Sequence, residues 1–257
     1  MLNLCVLMPT YGRTAALVEN AIACFERQTY PEQHRFLLAC DDEPWWAEQA
    51  GPRWRLDRMP QRAADLGAKY NAMIRYAEAS LVCGWVPDAY IVWDDDDLYL
   101  PWHLEAYAEA LEHAAWAHPS RVWSTYSGGP QYEAAAGRFH GSLAIRRGAG
   151  EWIETLRGTF DQEMISALQA KHGDPGRPDR RLPPSYVFRW ADTGSHHCQA
   201  YMRGTSHKWY ADYAEAVRQR RAAAGERPPE VLVPRIDEPA RRTIQQIQMV
   251  VSRSVRQ

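Results

Sequence analysis

Four consecutive carboxylates, Asp94-Asp95-Asp96-Asp97, follow the apolar run Tyr90-Ile-Val-Trp93 and precede Leu98-Tyr-Leu100. Carboxylates this close repel one another unless solvent or a cation offsets them. A hard divalent ion such as Mg2+ or Mn2+ does so well. It takes oxygen ligands, keeps positions open for phosphate oxygens and can neutralise a diphosphate leaving group. An EF-hand is excluded, because neither the glycine nor the closing Glu stands at its required offset. The plain alternative is an acidic exposed turn, which the apolar flanks on both sides argue against.

Other residues offer chemistry with less definition. Eleven tryptophans are many for 257 residues, and Trp45, Trp46 and Trp54 gather after Asp42. Their faces suit sugar rings and nucleobases, although most should serve the core. Arg177, Arg180 and Arg181 lie in a Pro-rich stretch that either steers an anion or is simply a solvated loop. His103, His113 and His118 fall along or just after a helix and read as solvated, whereas His140 precedes Gly141-Ser142. The absence of G-x-G-x-x-G, P-loop, H-E-x-x-H and G-x-S-x-G patterns removes the other common α/β enzyme readings.

The elements that must position these groups alternate. Leu4 to Met8, Phe36 to Cys40 and Tyr90 to Trp93 are apolar runs of strand length. Ala15 to Gln28, Ala63 to Ala79 and the stretch from Pro101 through Leu111 carry apolar residues at helical spacing. Strands alternating with helices imply an α/β domain with a mainly parallel sheet, which binds ligands beyond the carboxyl ends of its strands. Further on, Arg121 to Tyr126, Gly141 to Arg146 and Tyr186 to Trp190 read as strands, Phe160 to Ala170 as a helix and His172 to Pro184 as a loop. The stretch 203–257 holds 11 Lys and Arg against 6 Asp and Glu, with helices expected at Trp209 to Ala224 and Pro239 to Val255 around a Pro-rich connector.

Composition narrows the class. At 46% hydrophobic, 24% charged and a net charge of -2, the chain is an ordinary globular mixture rather than a disordered or polyanion-coating one. Five widely spaced cysteines without a C-x-x-C suggest neither a disulfide framework nor a zinc ribbon, which points to a reducing cytoplasm. The apolar start lacks a basic leader and runs straight into Pro9 and Gly12, so it reads as a buried strand. No stretch approaches the ~20 apolar residues of a membrane span.

Four segments, Val6-Leu-Met-Pro-Thr-Tyr-Gly-Arg13, Leu38-Ala-Cys-Asp-Asp42, Leu66-Gly-Ala-Lys-Tyr-Asn71 and Ile91-Val-Trp-Asp-Asp-Asp-Asp97, come in the order and at the separations of a known pattern. Together they resemble the signature segments of family 2 glycosyltransferases of the GT-A fold, over about residues 1 to 110. The resemblance implies a Rossmann-like mixed, mainly parallel sheet flanked by helices, with a C-terminal helical extension. It also implies a nucleotide-sugar donor, a UDP-sugar first among them. Pro9, Thr10, Tyr11 and Arg13 would stand beside the nucleotide, Asp41 near its base, and Lys69 and Asn71 close to base or ribose. The Asp-x-Asp motif maps onto Asp94 and Asp96 as ligands of Mn2+ or Mg2+, with Asp95 as a ribose contact. Asp-Asp-Glu-Pro-Trp-Trp stands where the family commonly has Asp-Asp-Gly-Ser, a departure that bears on the donor.

The same resemblance places a base at Asp161, in Thr159-Phe-Asp-Gln-Glu-Met164, with Phe160 replacing the usual Glu and Glu163 as the fallback. A carboxylate within hydrogen-bond reach of the acceptor hydroxyl is the usual solution for transfer with inversion, whereas an Asp at a helix start is more commonly an N-cap. A late histidine completes the metal site in some of these enzymes. His196 and His197 are the candidates, His196 preferred, since neighbours on an extended chain point oppositely. The expected division is 1–110 for the donor, 111–202 for acceptor and catalysis, and 203–257 as a basic helical extension. The acceptor is a saccharide or, in the minority, a hydroxylated base in DNA. The rivals are a noncatalytic nucleotide- or sugar-binding protein and a nucleotidyltransferase.

Overall fold

The computed structural model describes residues 1–10, 13–41, 47–59, 63–125, 129–135, 140–154, 160–189, 219, 222–227 and 229–254. The chain opens with β1 (Leu4–Thr10), α1 (Ala15–Glu26), β2 (Arg35–Asp41), β3 (Gln49–Ala50), β4 (Trp54–Arg58), α2 (Leu66–Ser80) and β5 (Ala89–Val92). It continues through β6 (Leu98–Tyr99), α3 (His103–Leu111), β7 (Trp116–Ala117), β8 (Arg121–Ser124), β9 (Gln131–Ala134), β10 (Ala144–Arg146), α4 (Phe160–His172) and β11 (Tyr186–Phe188), and α5 (Glu238–Ser254) ends it.

Seven strands form one sheet in the order β3-β4-β2-β1-β5-β10-β7, in which β4, β2, β1 and β5 run parallel while β3 and β10 run antiparallel to their neighbours. The alternating apolar runs therefore do build the mixed, mainly parallel sheet expected of them. Side chains of β1 alternate between faces. Leu4, Val6 and Met8 join Val18, Ile22 and Phe25 of α1 in one core, and Cys5 and Leu7 join Tyr70 and Met73 of α2 in the other. Both faces are covered, which explains why the strand reads as a continuous apolar run. A second sheet, β6-β11-β8-β9, extends beyond β5.

Local chemistry sets the helix starts. Thr14 caps α1 by accepting from the Leu17 N–H at 3.4 Å, and Asp65 caps α2 by accepting from Ala68 at 2.8 Å. Gly67 in the first turn of α2 is a close-approach residue, because a Cβ there would fall 2.2 Å from the Ile153 carbonyl oxygen.

The extension is tied into the first core. Leu232, Ile236, Ala240 and Ile247 are buried there, and the Val233 N–H and the Arg235 guanidinium both reach the buried Glu19 of α1, at 3.0 and 3.1 Å. Asn20 and Asp237 exchange two hydrogen bonds of 2.8 Å, and Asp237 caps α5 through the Ala240 N–H at 2.8 Å. The earlier helix expected at 209–224 lies almost wholly outside the described residues.

Asp237→Ala removes a cap and leaves the buried Asn20 amide short of a partner. It is expected to lower the unfolding free energy by about 2 kcal/mol, read from the urea midpoint. A loss below ~0.5 kcal/mol, the scale of an ordinary surface substitution, would mean that the extension is not part of the cooperative core.

Candidate functional site

The register of the parallel strands brings the chemistry-bearing residues to one edge. Thr10 at the end of β1 lies opposite Asp41 at the end of β2. Trp93, just past β5, donates its N–H to Leu7 of β1 at 3.0 Å, so the aspartate run begins beside the last residues of β1. The chain turns over Asp95 and Asp96 before entering β6. Asp94 is half-buried, and Asp95, Asp96 and Asp97 are 4%, 1% and 1% exposed.

Each carboxylate meets a different surrounding. Asp97 accepts from the Tyr186 hydroxyl and, at 2.8 Å, from the Arg189 N–H, which ties the run to β11. Asp95 and Asp96 share Arg13, with Nε 2.9 Å from Asp95 Oδ1 and Nη2 3.0 Å from Asp96 Oδ2. Asp94 donates its N–H to the Tyr99 hydroxyl oxygen at 2.5 Å, and that hydroxyl donates to the Gly141 carbonyl at 3.2 Å. Gly141 also gives the Asp94 carboxylate room. A Cβ there would fall 2.2 Å from Asp94 Oδ2 and 2.7 Å from Tyr186 Oη.

Three buried tyrosines, Tyr70, Tyr99 and Tyr186, surround the run. Burial first, and then the nearby aspartate charges, push all three hydroxyls well above the usual phenol range. They therefore stay protonated, and Tyr99 and Tyr186 keep the proton each donates. Trp93 stacks on Tyr99 with ring centroids 3.6 Å apart, and His103 meets both rings edge-on.

The other sequence-derived candidates fall as follows. Lys69 is buried and donates from Nζ to the Thr10 carbonyl at 2.7 Å, which holds α2 against the end of β1. Asn71 clamps Trp152, donating to its carbonyl at 2.9 Å and accepting its N–H at 2.8 Å, and also donates to Glu154 at 3.2 Å. Pro9 is half-buried opposite Cys40, and the buried Asp41 accepts at its carbonyl from the Met59 N–H at 2.7 Å. Glu163 is half-buried on α4, which packs on the second core through Met164, Ile165 and Leu168. Asp161 is the second residue of α4, but its side chain lies outside the described residues, as do Tyr11, Asp42, Trp45, Trp46, His196 and His197. Sequence reasoning gave no site role to Tyr70, Tyr99, Tyr186, Gly141 or Glu154, although Tyr70 stood inside the Leu66–Asn71 segment, Tyr99 just after the aspartate run and Gly141 next to His140.

Two histidines correct the sequence reading. His103 and His118, expected in solvent, are 0% and 2% exposed, while His113 is exposed as expected. His103 sits in phase with Leu104, Tyr107 and Leu111 on the buried side of α3, and its Nδ1 lies 2.9 Å from Ser185 Oγ. Burial pushes its pKa down to about 3, so the ring packs as a neutral aromatic. Arg177 is anchored to the His118 and Pro119 carbonyls at 3.1 and 3.2 Å, and Arg181 pairs with Glu109 at 2.6 Å, so the Arg-rich loop is pinned to the protein. Cys5, Cys24, Cys40 and Cys83 are buried, and no disulfide joins them. Among the described residues no group of three or more His, Cys, Asp and Glu is arranged to hold a metal.

No family model and no curated protein matches the chain. Solved structures do. A crystal structure of S. aureus TarS 1-349 matches with a TM-score of 0.54 at 13% identity, covering 73% of this chain and 60% of that one. The same TarS fragment in complex with UDP-GlcNAc matches at 0.54 and 13%, covering 74% and 59%. Its complex with UDP matches at 0.52 and 13%, covering 74% and 61%. The fold is GT-A. The chain spans about 60% of the length of that TarS fragment.

A histidine whose folded pKa is depressed stabilises the fold above its unfolded value and loses that contribution as pH falls. His103 should therefore make unfolding easier between about pH 6.5 and pH 3, by up to ~1.4 kcal/mol per pH unit. Urea unfolding of His103→Phe across this range is expected to show a shallower slope than the parent protein. Parallel slopes would mean that the ring is protonated in the fold.

Proposed function

We propose that this chain is a family 2-type, metal-dependent glycosyltransferase that moves a sugar from a nucleotide-diphosphate donor to an acceptor hydroxyl with inversion. The observation that carries the reading is the aspartate run at the carboxyl edge of a GT-A sheet, beside the Pro-Thr end of β1 and Asp41 of β2. The TarS fragment of the same fold was crystallised with UDP-GlcNAc and with UDP, which favours a UDP-sugar.

The donor set fits a hard cation. Asp94 and Asp96 offer only oxygens, Asp94 stands half-open beside the cradle at Gly141, and Mg2+ or Mn2+ fills its remaining positions with water and phosphate oxygens. Asp94 and Asp96 would hold the ion, with His196 or His197 as a further ligand, and its role is to neutralise the departing diphosphate. Asp41 recognises the nucleobase and Asp95 the ribose, with Pro9, Thr10, Tyr11 and Arg13 lining the nucleotide, while Lys69 and Asn71 hold the wall behind it. Asp161, or Glu163 in its place, takes the acceptor proton as the hydroxyl oxygen attacks the anomeric carbon.

Residues 1–110 hold the donor, 111–202 shape the acceptor site and 203–257 form the basic extension. The acceptor is a saccharide, and a hydroxylated base in DNA is the second reading, favoured by the excess of basic residues in the extension. Among the described residues no helix is long and apolar enough to cross a membrane, and the cysteine usage favours the cytoplasm.

The test is a thermal-shift screen of UDP, GDP, CDP and dTDP sugars with and without Mn2+. A donor at 100 times its Kd should add about 2.7 kcal/mol of stability, which raises Tm by several degrees. Asp96→Asn should lose the Mn2+-dependent part, and Asp161→Asn should keep donor binding while abolishing transfer. No shift with any donor would overturn the nucleotide-sugar reading, whereas a shift without transfer to any acceptor would favour a noncatalytic binding protein.

A further inference from the structure

Arg13 is held in a way that donor recognition alone does not explain. Its guanidinium bridges two carboxylates adjacent in sequence, at 2.9 Å from Asp95 and 3.0 Å from Asp96. The fork is what allows one side chain to satisfy both, since the Nε and Nη2 donors diverge at a fixed angle. The two carboxylates are 4% and 1% exposed and the Arg13 side chain 11%, so the ion pairs are largely shielded from solvent.

Two unit charges of like sign a few ångströms apart in such a site repel strongly. A guanidinium on Asp96 and a divalent ion on Asp96 are therefore competitors. Building on the proposed metal reading of Asp96, we propose that Arg13 is the resident counter-cation of Asp95 and Asp96. It holds both carboxylates in place before the donor arrives, and it must yield Asp96 for a divalent ion to bind. Once released from Asp96, the guanidinium presents a planar fork that matches phosphate oxygens. The protein is thus built to bind a bare metal ion poorly.

The test measures Mn2+ alone, without any donor, by the electron paramagnetic resonance signal of the free ion titrated with the full chain. Arg13→Gln should bind Mn2+ at least about tenfold more tightly than the parent protein, because the competing charge is gone. Arg13→Lys keeps the charge but loses the fork, and should fall between the two. Circular dichroism checks that each variant is folded, and if Arg13→Gln is not, the same comparison rests on Arg13→Lys being tighter than the parent.

A fixed structural strut makes the opposite forecast. Mn2+ binding to the parent protein with equal or weaker binding to both variants would overturn the proposal and leave the metal reading intact. Absence of Mn2+ binding in every protein, even with UDP present, would instead remove the metal reading and this proposal with it.

Discussion

Three carboxylates buried side by side at the end of a β-strand are the constraint around which this molecule is arranged. Left alone, Asp95, Asp96 and Asp97 would be driven apart by desolvation and mutual repulsion. Their compensation comes from distant parts of the chain. Arg13 arrives from the link between β1 and α1, Tyr186 from β11 and the Arg189 N–H from just past that strand. The second sheet places Tyr186 against Asp97.

Helix α1 connects this edge to the rest of the protein. Its N-cap, Thr14, directly follows Arg13, and its buried side packs on β1. Its next turns carry Glu19 and Asn20, which hold Val233, Arg235 and Asp237 of the extension. One helix thus links the counter-cation at one end to the C-terminal segment further along. Rigidity matters because a carboxylate displaced by even an ångström loses much of its value to a ligand. On the other face, Lys69 on the Thr10 carbonyl and Asn71 on Trp152 hold α2 in the same manner.

Much of this was legible in the sequence, for a definite reason. Strands β1, β2 and β5 are covered on both faces and so appear as unbroken apolar runs. β4 escaped because Trp54-Arg-Leu-Asp-Arg58 mixes apolar with charged residues, and the charges are accommodated by Arg55 on Asp57 at 2.8 Å and the Tyr76 hydroxyl on Asp57 at 2.9 Å. β6 and β7 are two-residue pairings, too short for any periodicity to register. His103 was misread because polarity was taken as exposure, whereas a neutral imidazole among Trp93, Tyr99 and Tyr107 packs as a core ring. The tyrosine donors were invisible for a different reason. Tyr186 meets Asp97 across 89 residues of sequence, a pairing no local pattern encodes.

The aspartate run itself shows where period-two reasoning stops. On an extended strand Asp94 and Asp96 would face one way and Asp95 and Asp97 the other. Here the chain turns at Asp95 and Asp96, and one guanidinium reaches both of these neighbours. Asp97 instead faces Tyr186, and Asp94 lies against the gap left by the missing side chain of Gly141. The four residues thus carry three distinct environments despite identical chemistry. What distinguishes them is the turn, which arises because β6 must leave the first sheet to pair with β11 in the second. The sheet-to-sheet crossing, rather than spacing within the motif, decides which aspartates share a cation and which one is left half-open beside Gly141.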